Sequence, residues 1–238
     1  MEFCEHCQIE HTGKYCSNCG RAHNLKRIDK DYILSEIGSV LNFDKGILYT
    51  IRELLIRPGE NIRKFLHQDR KRLVKPIIFI IISSLIYTIA QQLLQFEDGY
   101  VNAGGFEETT VTYFFQWIQK NYGYANILMA IFIAFWIKVF FRKYDYNFYE
   151  ILILLCFVMG VGMLIYSVFG ILESVTKLKI LHFGGIVGFV YVAWAIGNFF
   201  DKTKKINYLK GILSYMLGMI TFFIGVILLG MSIDFFIK

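Results

Sequence analysis

From Pro76 onward the chain is a succession of apolar runs: 76–94, 125–141, 148–170, 180–200 and 208–233. Each is near the ~20 residues that an α-helix needs to cross ~30 Å of hydrocarbon. Lipid offers the backbone no hydrogen bonds, and a helix satisfies its own polar groups within one segment. The pattern therefore predicts an all-α integral membrane protein with about five transmembrane helices. Composition agrees, since 55% of the 238 residues are hydrophobic and only 18% are charged, against roughly a quarter charged in a soluble domain. Residues 1–75 hold 14 of the 25 Lys and Arg. Three regions follow: a small cysteine knuckle over 1–23, amphipathic helices over 24–75, and a membrane domain over 76–238.

Arg70, Lys71, Arg72 and Lys75 stand at the mouth of the first apolar run. Cations in that position mark a cytoplasmic boundary, because translocation of Lys and Arg is disfavoured and anionic headgroups attract them. These four are the candidate lipid-headgroup residues. Cations in the next four connections, 95–124, 142–147, 171–179 and 201–207, number one, two, two and three. The alternation favours a cytoplasmic N-terminus and an outside C-terminus, the third connection giving the weakest vote. The formal net charge of +6 does not point to nucleic acid, because the basic residues cluster at the ends of apolar runs, where topology accounts for them. Met1, Glu2, Phe3 and Cys4 show neither a basic n-region nor an apolar h-region, which predicts no cleavable signal peptide.

Cys4, Cys7, Cys16 and Cys19 form two Cys-x-x-Cys pairs eight residues apart, the second followed by Gly20. Each pair can offer two thiolates to one tetrahedral ion, and the set suits structural Zn2+, with iron as the alternative metal. A cytoplasmic location keeps the thiols reduced and argues against disulfides. Four cysteines close the coordination sphere, so metal catalysis is not expected there. His6, His11 and His23 are irregularly spaced and read as loop residues.

Residues 24–43 place Leu25, Ile28, Tyr32, Ile37, Val40 and Leu41 at helical intervals, the pattern of an amphipathic helix. A second such helix begins near Asp44, a capping residue, and ends at Pro58 and Gly59. Ile62, Phe65 and Leu66 carry the pattern on to the basic cluster. Helices of this kind before a first span either lie in the headgroup plane or pack on the bundle.

The apolar runs have no Asp, Glu, Lys or Arg near their centres, which disfavours proton relays and voltage sensing. Gln91, Gln92, Ser83, Ser84, Tyr87, Thr88 and Asn198 could line a polar path, although interhelical hydrogen bonding is their commoner use. Gly184 and Gly188 make a small-xxx-small pair, and Gly211, Gly218 and Gly225 recur on one face; all five are candidate helix-packing residues, within one chain or between two copies. Tyr113, Phe114, Phe115 and Trp117 read as an aromatic belt or interfacial helix. Cys156, among Leu155, Phe157 and Val158, reads as a small hydrophobe.

Cys4, Cys7, Cys16, Cys19 and Gly20, then Tyr49, Thr50, Leu54, Leu55, Arg57, Pro58 and Gly59, then Asp69, Arg70, Lys71, Arg72 and Pro76 together resemble an uncharacterised bacterial membrane-protein family. That family joins a short N-terminal zinc ribbon to a helical membrane domain. The resemblance covers the first third of the chain and implies the bacterial inner membrane. A more distant similarity, in span count and orientation, is to the Yip family of five-span proteins, which act through partner binding. The combined expectation is a non-enzymatic membrane protein whose cytoplasmic zinc-binding platform meets a protein partner or the membrane surface. The alternatives are a small channel or permease for a neutral or lipid-like solute, and a membrane enzyme acting on lipid, for which no His, Asp or Ser constellation is present.

Overall fold

The computed structural model describes residues 2–3, 10–11, 46–70, 72–96 and 109–237. The chain divides into two compact units, Met1–Val40 and Leu41–Lys238. In the first, β1 (Glu2–Phe3) pairs antiparallel with β2 (Glu10–His11), Phe3 opposite Glu10. The four cysteines, the helix expected over 24–43, Asp44 and Lys71 lie outside the described residues.

The described part of the second unit is helical: α1 (Ile47–Ile56), α2 (Pro58–His67), α3 (Pro76–Leu94), α4 (Thr110–Lys120), α5 (Tyr122–Phe140), α6 (Phe148–Thr176), α7 (Leu181–Asp201) and α8 (Lys205–Ile237). Five of these, α3 and α5 to α8, are long and apolar enough to cross a membrane. The expected first span coincides with α3. Other boundaries move: α6 continues six residues beyond the expected end, so that most of the anticipated 171–179 connection is helix, and α8 takes in both flanks of 208–233. Pro58 and Gly59, expected as a stop, also open α2. Proline at the first helical position has its φ preset and lacks an N–H that would have no partner there.

α3 packs on α6, α6 on α7, α7 on α8, and α5 closes against α8 and α6. Leu154, Leu155, Phe157, Ile133, Ile137, Ala195, Ile196 and Phe199 are fully buried between them. Phe79, in the first turn of α3, packs on Phe157 and beside Gly160. Those residues lie nine to twelve positions into α6, so α3 begins about 13 Å above the foot of α6 at 1.5 Å per residue. The α1–α2 pair occupies the space below it, against α6 and α7. On the other side α4 and α5 run in tandem down α8: Val111 abuts Gly230, Phe115 stacks on Phe223 at 5.8 Å, Ile133 abuts Gly218, and Lys210 Nζ donates to the Phe140 carbonyl.

Candidate functional site

The most organised polar structure in the described unit is the seat of α1 and α2. α1 turns Thr50 and Leu54 inward, and α2 turns in Asn61, Ile62, Phe65 and Leu66. Burying one such aliphatic or aromatic side chain from water is worth about 1.5–3 kcal/mol. Phe65 meets Phe157 edge-on at 5.3 Å. The two short helices are tied together where Asn61 Nδ2 donates to the Glu53 carbonyl at 2.9 Å. They are tied to the approach to α3 where Thr50 Oγ1 accepts the Val74 N–H at 3.1 Å and Arg72 pairs with Glu53 at 3.0 Å.

The contact with α7 is more specific. Arg63 Nη1 donates to the carbonyls of Asn198, at 2.8 Å, and Phe199. Both belong to the last four residues of α7, whose carbonyls have no partner within the helix. A guanidinium there also complements the negative end of the helix dipole. A Cβ on Gly59 would stand 2.4 Å from the Asn198 oxygen, so only glycine admits this approach. Tyr191 OH donates to the Leu54 carbonyl at 3.1 Å, fastening α1 higher on the same helix. The amphipathic pair is therefore packed on the bundle. Its outer edge remains apolar, with Leu48 79% exposed beside exposed Leu55 and Ile56.

Tyr146, between α5 and α6, joins this seat to the foot of the bundle, its ring 4.7 Å from Phe199 and 5.9 Å from His67. Burial raises its pKa above the ordinary tyrosine value. Phe141 stacks on Phe200 at 3.9 Å beside it. Many cations border this end. Lys64 hydrogen-bonds Glu60 at 2.6 Å and holds that carboxyl below its usual pKa, while the Asp201 carboxylate raises that of Lys204.

Among the expected headgroup residues, Arg70 and Lys75 are exposed, whereas Arg72 is turned onto Glu53. The small residues also separate. A Cβ on Gly184 would meet Phe169 Cβ at 2.6 Å, on Gly211 the Ala193 carbonyl at 2.8 Å, and on Gly218 the Ile133 Cα at 2.6 Å; at Gly188 the nearest atom is 3.6 Å away, and at Gly225 nothing lies within 4 Å. Gly225 thus makes no close approach in the described structure, although it shares its seven-residue spacing with two that do. The expected polar path of the first span is occupied by packing: Ser83 donates to the Phe79 carbonyl at 2.8 Å, Ser84 abuts Gly123, and Tyr87 packs on Phe96. A cavity of about 320 Å³ lies elsewhere, between α5, α6, α7 and α8. Among the described residues, no three of His, Cys, Asp and Glu are grouped to hold a metal.

Sequence patterning did not single out Arg63, Glu173 or Asp234, each of which caps a helix from outside it. Glu173 of α6 accepts the Ile180 and Leu181 N–H groups at 2.8 and 2.7 Å, at the start of α7. Asp234 of α8 accepts the Thr110 N–H at 3.2 Å and the Thr110 hydroxyl, at the start of α4. For Glu173 and Asp234 the sequence signal was a charged residue near the end of an apolar run.

A polytopic helical membrane protein is the class this fold defines. Residues 44–88 match the model of a family described as a protein of unknown function (DUF3667); that stretch covers α1, α2 and the first two-thirds of α3. No curated protein and no solved structure matches the chain.

Proposed function

We propose that the chain is a non-enzymatic protein of the bacterial inner membrane, with a cytoplasmic platform that presents a zinc knuckle and the docked α1–α2 pair to a protein partner or the membrane surface. The observation that carries this reading is the seat of α2 on α7 through Arg63 and Gly59, which couples the extramembrane helices to a span. Support for the knuckle comes from the cysteine spacing and from the β1–β2 pairing, whose two strands flank the chain segment containing Cys4 and Cys7. Support for the orientation comes from the cations at the α1–α2 end, which the inner leaflet and its translocation machinery favour inside.

Purified full-length protein would carry about one zinc per chain, and Cys4→Ser or Cys16→Ser would remove it; unchanged metal content would sink the site. A chain lacking residues 1–23 would lose a partner retained by the intact protein in the same membranes. An identical partner set would move function to the bundle.

The cavity between α5, α6, α7 and α8 favours a second reading, a permease for a neutral or lipid-like solute. Flux in proteoliposomes across a panel of uncharged solutes supports it, and absence of flux across that panel removes it.

A further inference from the structure

Three glycines in the bundle face space. A Cβ on Gly162 would meet Val192 at 3.4 Å, on Gly185 Tyr166 at 3.8 Å, and on Gly188 the Gly162 carbonyl at 3.6 Å, all ordinary contacts. Helix approach therefore does not demand glycine at these positions, unlike Gly184 or Gly218. Glycine is also a poorer helix former than alanine. What their bare backbones keep open is the cavity that they line together.

Three residues with polar side-chain groups, Asn126, Tyr166 and Tyr215, line that cavity, and Asn126 is the most buried of them. Asn126 of α5 is 4% exposed and lines the wall, its amide offering both a donor and an acceptor to the space. A buried amide facing a cavity is suited to hydrogen-bond a group bound there. Met159, Met163 and Met219, flexible and polarisable, also line it and adapt to irregular apolar shapes. No Asp, Glu, Lys, Arg or His lines the space among the described residues, so an ionic ligand would be left without a counter-charge in a low-dielectric site. Met163 lies fifteen residues into α6, about 22 Å along a helix of about 43 Å, and the cavity reaches the surface at exposed Gly185. Gly185 lies four residues, about 6 Å, from the start of α7, so the opening lies near the Leu181 end of an apolar helix, within reach of amphiphiles in the surrounding leaflet.

We propose that this cavity binds one uncharged amphiphile drawn from the bilayer, with its hydroxyl or carbonyl head on the Asn126 amide and its apolar body along Gly162, Gly185 and Gly188. The proposal uses the same cavity as the permease reading but requires binding only, not passage.

The test uses the full chain in phosphatidylcholine nanodiscs with a diazirine-bearing monoacylglycerol as probe. Labelling is expected on the segments around Met163 and Met219. Unlabelled monooleoylglycerol competes, whereas the same acyl chain on an anionic lysophosphatidylglycerol head does not. Asn126→Leu weakens labelling about tenfold, the loss expected for one buried hydrogen bond. The double variant Gly162→Ala/Gly188→Ala narrows the cavity at positions with room for a Cβ, so it keeps or raises thermal stability while losing the label, and it carries the test should Asn126→Leu fail to fold. Labelling unchanged in the double variant, equal competition by the anionic lipid, or label spread evenly over the lipid-facing flanks would overturn the proposal. Labelling without flux upholds the site and removes the permease reading alone.

Discussion

Glu173 and Arg63 hold opposite ends of the same helix. The Glu173 carboxylate accepts two N–H groups at the start of α7, and the Arg63 guanidinium donates to two carbonyls at its end. Each charge has the sign that the helix dipole favours at its end, and each comes from a different neighbouring helix, α6 and α2.

Removing Arg63 is expected to loosen α2 more than α7. A hydrogen bond to a charged group contributes about 1.5–3 kcal/mol, so Arg63→Ala should speed amide exchange across 47–67 by tenfold or more while the centre of α7 stays protected. α7 is about 31 Å long, and its two caps are far enough apart to act independently. The stability losses of Arg63→Ala and Glu173→Ala, read by denaturant unfolding in micelles, should therefore add in the double variant. Strong non-additivity would mean that the helix responds as one strained unit.

Gly218→Ala and Gly225→Ala form a matched pair on one face of α8. The first drives a methyl group into the Ile133 backbone, and the second enters open space. Gly218→Ala should destabilise by about 1–3 kcal/mol, as overpacking does. Gly225→Ala should be neutral or stabilising by up to about 1 kcal/mol through helix propensity. Equal effects in the same unfolding assay would contradict the assigned packing.

Asp234→Asn tests the tie between α8 and α4. Losing a charged cap costs about 1 kcal/mol, so exchange should rise over 110–113 with no change at 47–67. A rise at both ends would show that α4 is coupled to the distant α1–α2 seat.

Tyr146 titrates late because burial, the largest influence, disfavours its phenolate; Arg63 opposes that rise and Glu150 adds to it. Its folded value lies above the ordinary 10.0. The stability tied to it is therefore complete below that pH and is lost as pH climbs through the raised value. The ultraviolet difference titration of wild type against Tyr146→Phe should show a midpoint above that of free tyrosine, together with loosening of α2. A midpoint at or below the free value would place the ring in water.

Hydropathy made the five spans legible, because apolar length is what the bilayer selects. It failed at their ends for the same reason. Glu173, Ser174 and Thr176 look like a connection, yet they complete α6, since a helix that outruns the hydrocarbon has no need of apolar residues there. Periodicity also identified the inward face of α2 through Ile62, Phe65 and Leu66. It could not say what that face covers, because Gly59 and Arg63 are explained only by the Asn198 backbone, more than 130 residues away in sequence. Gly218 and Gly225 are indistinguishable by spacing, and only the course of α5 separates them. The cysteines remain a sequence-level argument, since they lie outside the described residues.

The helices surrounding α7 do not share its length. α6 and α8 run for about 43 and 50 Å, and α7 for about 31 Å. With their feet gathered around Phe141, Tyr146, Phe199 and Phe200, the far rim of the barrel of helices is notched above Leu181. α7 matches the ~30 Å of hydrocarbon by itself, so the extra turns of α6 and α8 extend past the apolar layer. Gly185, one turn inside the start of α7, therefore sits close to the level where hydrocarbon gives way to headgroups, which is where the polar head of an amphiphile lies.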